Sequence, residues 1–308
     1  MTALPKKQIG IIGLGKMGEA IALHLNEQGW EVSGHDSFLK KAALLEDSGI
    51  KSCKSVKELV DSLDRPRTVW VMVPAGEPVQ QVMFGSQGLI HYLEPDDIVI
   101  DGGNSYFEDS VVTGKLLFEK KINFLDVGVS NGTEGARHGA CLMVGGHKEV
   151  YSHLEELFSD LGIQNGYAHL GPTGSGHFIK MIHNGIEYGF MQAIAEGFDV
   201  IKNSKEYKFD LWQIANLYNH GSLLESKLME CMGKAFDKFG NELAEIEGKA
   251  VGLGEGEWTK NYGEKVSVTT PAIKAALDVR EHSRQSPSFQ GKIIMALRNV
   301  FGGHPINP

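Results

Sequence analysis

Cysteine is scarce in this chain of 308 residues: Cys53, Cys141 and Cys231 are the only three. They are widely spaced and odd in number, so they form neither a disulfide framework nor a CxxC metal pair. A reducing, cytoplasmic setting fits them best. Positive charge is also short, with 30 Lys and Arg against 39 Asp and Glu and a net charge of −9. That balance argues against a nucleic-acid groove or an anionic membrane surface as the main partner, and leaves room for a local cationic pocket for a small anion. No apolar run is long enough to span a bilayer. The run after Lys6 and Lys7 is broken by Lys16 and Glu19, which makes it a poor signal-peptide core. No internal repeat and no metal-ligand spacing is present. What is there is a composition 42% hydrophobic and 22% charged, enough for a real core in one large domain or two. The 38 glycines are scattered, which points to tight turns and close backbone approaches.

The first half alternates short apolar runs with amphipathic stretches. QIGIIGLG (8–15), WEVSGHD (30–36), TVWVMVP (68–74), DIVIDGGNS (97–105), NFLDVGVS (123–130) and CLMVGG (141–146) read as strands, several running into loops. KKAALLEDSG (40–49) reads as a helix stopped by Gly49. Strands alternating with helices predict a parallel sheet covered on both faces. After GPTGSGH (171–177) apolar residues follow the helical period for most of the chain, and GGHPINP ends it as a loose tail. The expected fold class is an α/β Rossmann-type dinucleotide-binding domain over 1–172 followed by an all-α domain over 173–308 that supplies substrate and dimerisation surfaces.

The first motif is Gly13-Leu14-Gly15-Lys16-Met17-Gly18, which follows an apolar strand and opens a helix. The first glycine turns tightly, the second admits a pyrophosphate to backbone N–H groups, and the third lets helix and strand pack closely. The anion then sits at a helix N-terminus. Asp36 ends the next strand, where an acid accepts hydrogen bonds from both ribose hydroxyls and repels a 2′-phosphate. No arginine follows it closely, and Lys40 and Lys41 read as a solvated helix start, so NAD is expected rather than NADP.

FIKMIHNGIEY (178–188) places Lys180, His183, Asn184, Glu187 and Tyr188 within an arc of roughly 140° on one helix. Phe178, Ile179, Ile182 and Ile186 cover much of the rest, which is too wide an apolar surface for an ordinary surface helix. A buried lysine of lowered pKa suits removal of a hydroxyl proton during hydride transfer. Glu187 could act as an acid, His183 and Asn184 could hold substrate oxygens, and Tyr188 could donate to an anionic end group. DGGNS (101–105) and VGVSNGTEGARHG (127–139) follow strands, so Asn104 and Ser130 lie at the carboxyl edge of the sheet, where ligands bind.

Together GLGKMG, DGGNS, GVSNGTEGAR, GPTGSGHFIKMIHNGIEY and LRNVFGGH make the chain resemble decarboxylating 6-phosphogluconate dehydrogenases, in particular their short, often NAD-linked branch. The resemblance covers nearly the whole chain. It implies Lys180 as base and Glu187 as acid, and Asn104, Ser130, Asn131, Gly132, His183 and Asn184 as contacts to the sugar acid. Tyr188 and Arg280 would hold the phosphate. Gly13 to Gly18, Asp36, Val73, Pro74 and Asn104 would hold the cofactor, with no metal. Arg298 and His304 would reach the site from a neighbouring subunit of a homodimer or homotetramer, and the product would be ribulose 5-phosphate, within the pentose phosphate pathway.

Three positions depart from the family pattern. Asn131 stands where glycine is usual, and Leu253 and Glu257 replace lysines of long-form members. Two lost cations and one gained carboxylate would weaken phosphate binding, so a non-phosphorylated aldonate stays open as substrate. Gly-His-Asp (34–36) replaces the Asn-Arg-Thr of NADP-linked long forms. A β-hydroxyacid dehydrogenase without decarboxylation is a second enzyme reading, and a nucleotide-sensing protein without chemistry is a third.

Overall fold

The computed structural model describes residues 7–252 and 254–307. It divides into two compact units, Met1–Lys180 and Met181–Pro308. The first holds eight strands: β1 (Gln8–Ile12), β2 (Glu31–His35), β3 (Lys51–Ser52), β4 (Thr68–Val71), β5 (Ile98–Asp101), β6 (Asn123–Ser130), β7 (Ala140–Gly146) and β8 (Gly162–Gly171). Their spatial order is 3-2-1-4-5-6-7-8, the doubly wound order extended at one edge. β4 and β5 are buried at every residue, which is why TVWV and IVID read as continuous apolar runs.

The sheet departs from the all-parallel expectation at β7, which runs antiparallel to β6 and parallel to β8. Only Asn131, the short helix Gly132–His138 and Gly139 separate β6 from β7, too few residues for a parallel crossover. That helix lies where the sequence suggests a loop. β8, GIQNGYAHLG, is an edge strand with half-exposed and exposed residues, so it lacks the apolar run that marks the others.

Helix Lys16–Glu27 carries His24 inward, with Nδ1 3.3 Å from the Ala136 carbonyl. Burial pushes the His24 pKa below its ordinary value, opposed by the Ala136 contact. The unfolded chain therefore binds the proton more readily, and stability is lost as pH falls below about 6.5 toward the native value. His24→Gln should flatten the fall of the urea midpoint in that window; an unchanged pH slope would contradict this.

The second unit is helical: Leu211–Tyr218, Lys227–Phe239, Glu255–Lys265, Pro271–Gln285 and Phe289–Gly302 join the later turns of the long helix Ser175–Lys202. Ser226 and Ser288 accept hydrogen bonds from the Met229 and Gly291 N–H groups and so start two of these helices. Met191, Phe198, Met232, Phe236, Ile294 and Leu297 are buried in its core. The C-terminal stretch is better tied than its composition suggests. Asn307 donates to the Glu245 carbonyl and accepts from the Glu247 N–H, and Asn299 donates to the His304 carbonyl.

Candidate active site

The glycine loop follows β1, and β1 lies between β2 and β4, where the strand order reverses. Gly13 has φ +93°, and a Cβ there would stand 2.8 Å from Val73 Cγ1 and collide with the Met72 carbonyl. A Cβ on Gly18 would strike the Gly13 carbonyl, whereas one on Gly15, at the N-terminus of Lys16–Glu27, would meet nothing within 4 Å. The loop is thus packed tightly at its first and third glycines and open at the second, which suits a pyrophosphate on the helix N-terminus. Lys16 is exposed and Met17 half-buried; Val73 and Pro74 follow β4 at the same sheet edge.

Asp36 is buried, with Oδ2 accepting from the Leu14 N–H at 2.8 Å and Oδ1 from the Phe38 N–H at 2.8 Å. Each oxygen keeps a lone pair for a ribose hydroxyl. These residues fit a nicotinamide dinucleotide. Lys41, expected to be a solvated helix residue, is half-exposed but stands 3.9 Å from Asp36 Oδ2.

The sugar-acid candidates of the first unit gather at the same edge. Asp101 ends β5 and accepts from the Gly103 N–H at 2.9 Å and the Ser105 hydroxyl at 2.7 Å, which shapes the DGGNS turn. Asn104, at φ 55°, accepts from the Val129 N–H at 3.2 Å and so is tied to β6. Ser130 is half-buried at the end of β6; Asn131 is exposed at φ 85° and Gly132 follows at φ 59°. Asparagine at 131 therefore occupies the left-handed conformation that glycine would favour. Lys180, 7% exposed, belongs to this unit and lies so close to β6 that a Cβ on Gly128 would collide with its Cβ.

In the helical unit, His183 Nδ1 is 3.0 Å from Asn184 Oδ1 and 3.7 Å from Glu187 Oε2. Tyr188 is 7% exposed, and a Cβ on Gly256 would come within 2.5 Å of its ring. The Arg280 guanidinium lies 3.6 Å from the centre of the Tyr188 ring. Arg280 is 3% exposed, and its Nε, Nη1 and Nη2 have no hydrogen-bond partner among the described residues. Burial pulls its pKa down to about 10; Arg298 adds to the fall, and Tyr188, Glu187 and Glu255 oppose it. Burial also lowers Arg298, whose Nη1 donates to the Val251 carbonyl. Arg280 over the Tyr188 ring, with Arg298 also desolvated, could take an anion.

The comparisons bear on which anion. Residues 8–171 match the NAD-binding domain of 6-phosphogluconate dehydrogenase, and residues 176–290 match the C-terminal domain of 6-phosphogluconate dehydrogenase. The chain belongs to the 6-phosphogluconate dehydrogenase family. The Bacillus subtilis homologue YqeC is 42% identical over 297 residues, covering 96% of this chain and 98% of that one. The NAD(+)-dependent, decarboxylating 6-phosphogluconate dehydrogenase of Haloferax volcanii is 36% identical over 300 residues, covering 97% and 98%. Among solved structures, the Plasmodium falciparum 6-phosphogluconate dehydrogenase, described apo, with its cofactor NADP+ and with its substrate 6-phosphogluconate, aligns at TM-score 0.82 and 31% identity. It covers 90% of this chain and 62% of that chain.

Ile179 and Ile186 are 40% and 62% exposed, while Lys180 and Tyr188 are both 7% exposed, so these two polar side chains of the long helix are more buried than the two isoleucines. The sheet-facing glycines and Gly256 make room for those polar side chains. Arg298 packs within its own helical unit, close enough to Arg280 to depress that group's pKa, and the His304 ring centre lies 6.5 Å from that of Phe301. One expectation changes: Glu257 is exposed, and the acid of this stretch that acts on both arginines, together with Glu187, is Glu255, which sequence reading passes over. The GxGxW spacing around it carries no signal of which acid turns inward. Leu253 lies outside the described residues.

Proposed function

We propose that this chain oxidises and decarboxylates 6-phospho-D-gluconate to ribulose 5-phosphate and CO2, with NAD as the preferred hydride acceptor. The buried Arg280 guanidinium, over Tyr188 and without a hydrogen-bond partner among the described residues, carries the reading toward a phosphorylated acid. When bound, the dinucleotide supplies the acceptor for the C3 hydride. Lys180 takes the C3-hydroxyl proton as the alcohol becomes a ketone. The C1–C2 bond of this β-keto acid then breaks. CO2 leaves, and the bonding pair becomes an enediolate whose C3 oxygen is stabilised and protonated by Lys180. Glu187 protonates the carbon that lost CO2 while Lys180 takes back the proton of the C3 oxygen, which becomes the carbonyl of ribulose 5-phosphate. Asn104, Ser130, Asn131, Gly132, His183 and Asn184 bind the hydroxyls and carboxylate.

Glu187 supports decarboxylation over simple dehydrogenation, because oxidation alone uses no second acid. With 6-phosphogluconate labelled at C1, each NAD reduced should release one labelled CO2; reduction without CO2 would favour the non-decarboxylating alternative. Asp36 supports NAD, and Lys41 at its side sets the limit of that preference. Asp36→Ala should lower the kcat/KM ratio of NAD to NADP by roughly tenfold or more, the loss of ~1.5–3 kcal/mol from a charged hydrogen bond; an unchanged ratio would remove Asp36 from cofactor choice. We further place the chain in a homodimer or homotetramer in which the segment holding His304 completes a neighbour's site. The exposed Ile179, Ile186 and Phe190 stripe of the long helix supports this. Light scattering that finds only monomer would exclude it.

A further inference from the structure

Asp126 has no role in the chemistry above, yet it is fully buried at the centre of β6. Its Oδ1 accepts from the Gly174 N–H at 2.7 Å and its Oδ2 from the His177 N–H at 2.8 Å. Both donors belong to the start of the long helix Ser175–Lys202, where backbone N–H groups have no partner inside the helix. The cap is therefore supplied from 48 residues away, by a strand rather than by the residue that precedes the helix.

Strand geometry puts Asp126, Gly128 and Ser130 on one face of β6. The three form a row: a carboxylate that holds the helix start, a glycine against which Lys180 Cβ packs, and the candidate substrate serine. Two more glycines close the junction. A Cβ on Gly145, paired with Asp126 across β7, would stand 2.6 Å from Asp126 Oδ1 and 2.6 Å from the Gly176 N–H nitrogen. A Cβ on Gly176 would collide with the Asp126 and Met143 carbonyls. The helix start thus lies directly on the backbone of β6 and β7, and His177 adds a contact from Nδ1 to the Ser110 hydroxyl at 2.8 Å. Lys180 follows on the next turn.

We propose that Asp126 is a positioning residue for Lys180: its two-oxygen cap fixes the first turn of the long helix on β6 and so sets where the lysine ammonium stands. This rests on the reading of Lys180 as the base. Reacting groups displaced by about 1 Å lose on the order of 10²-fold in rate. Asn at 126 keeps the size of the side chain but turns an amide donor toward a backbone N–H, so one helix donor loses its acceptor.

The test is Asp126→Asn in the full chain, with kcat, KM for 6-phosphogluconate and NAD affinity measured beside the Lys180 signal in 15N-lysine NMR, assigned with Lys180→Met. A fall in kcat of roughly 10- to 100-fold, with NAD affinity kept and a Lys180 signal shifted in position and titration, is expected. Asp126→Glu, which keeps both acceptor oxygens, should recover part of the rate. Wild-type kcat with an unshifted Lys180 signal would overturn the proposal. So would a loss of NAD affinity in step with kcat, or misfolding of both variants, since either leaves only a structural role. If the wild type fails to turn over 6-phosphogluconate, the substrate reading fails alone, and the Lys180 signal in the variants still decides the role of Asp126.

Discussion

Lys180→Met is expected to lower kcat for nicotinamide reduction by about 10²- to 10⁴-fold, the contribution of a positioned general base, with NAD affinity unchanged. Methionine keeps the length and apolar stem that pack on Gly128 and removes only the group that takes the proton. Lys180 is among the few charged side chains buried in the chain, and the glycine loop and Asp36 that would hold the dinucleotide are built on β1 and β2 without it. The acid limb of the kcat–pH profile should disappear with the lysine, since that limb reports protonation of the base. A variant that keeps most of the rate with NAD bound would show that another group takes the proton.

Arg280→Met is expected to separate recognition from stability. Truncating a buried partner of a charged pair costs ~2–5 kcal/mol of binding, so kcat/KM for the phosphorylated acid should fall by about 30- to 3,000-fold. Activity on gluconate, if the wild type has any, should barely change. The unliganded variant should be as stable as the wild type or more so. Wild-type Arg280 is a buried cation whose pKa burial pulls down to about 10, and apolar replacement of buried charge is often neutral or stabilising. Above that pH the unfolded chain holds the proton more tightly, so wild-type stability should rise as pH climbs through about 10, and the variant should lack the rise. Inorganic phosphate should raise the unfolding temperature of the wild type alone. Equal losses on gluconate, or a variant destabilised without ligand, would contradict an anion site at Arg280.

Much of this architecture is legible in the sequence because it rests on local rules. The Gly13–Gly18 loop needs glycine at 13 and 18 for contacts that a Cβ would break, and β4 and β5 are largely apolar because both faces are covered. The long helix declares its chemical residues by period alone. What stays hidden depends on long-range packing. β8 has no apolar run because it forms an edge, and β7 reverses because its connection to β6 is too short. That Lys180 and Tyr188 find room to be buried depends on Gly128 and Gly256, far along the chain. Asp126 reads as an ordinary strand acid until Gly174 and His177 arrive beside it. Glu255 and Glu257 are two residues apart, and only the fold chooses between them.

The most direct measurement is kcat/KM for 6-phosphogluconate and for gluconate, each with NAD and with NADP, on the wild-type protein. The account expects turnover of the phosphorylated acid with NAD to exceed the other three combinations, through Arg280 on the substrate side and Asp36 on the cofactor side. Equal or greater kcat/KM for gluconate would contradict it, and would mean that the buried arginines serve an anion other than the substrate phosphate.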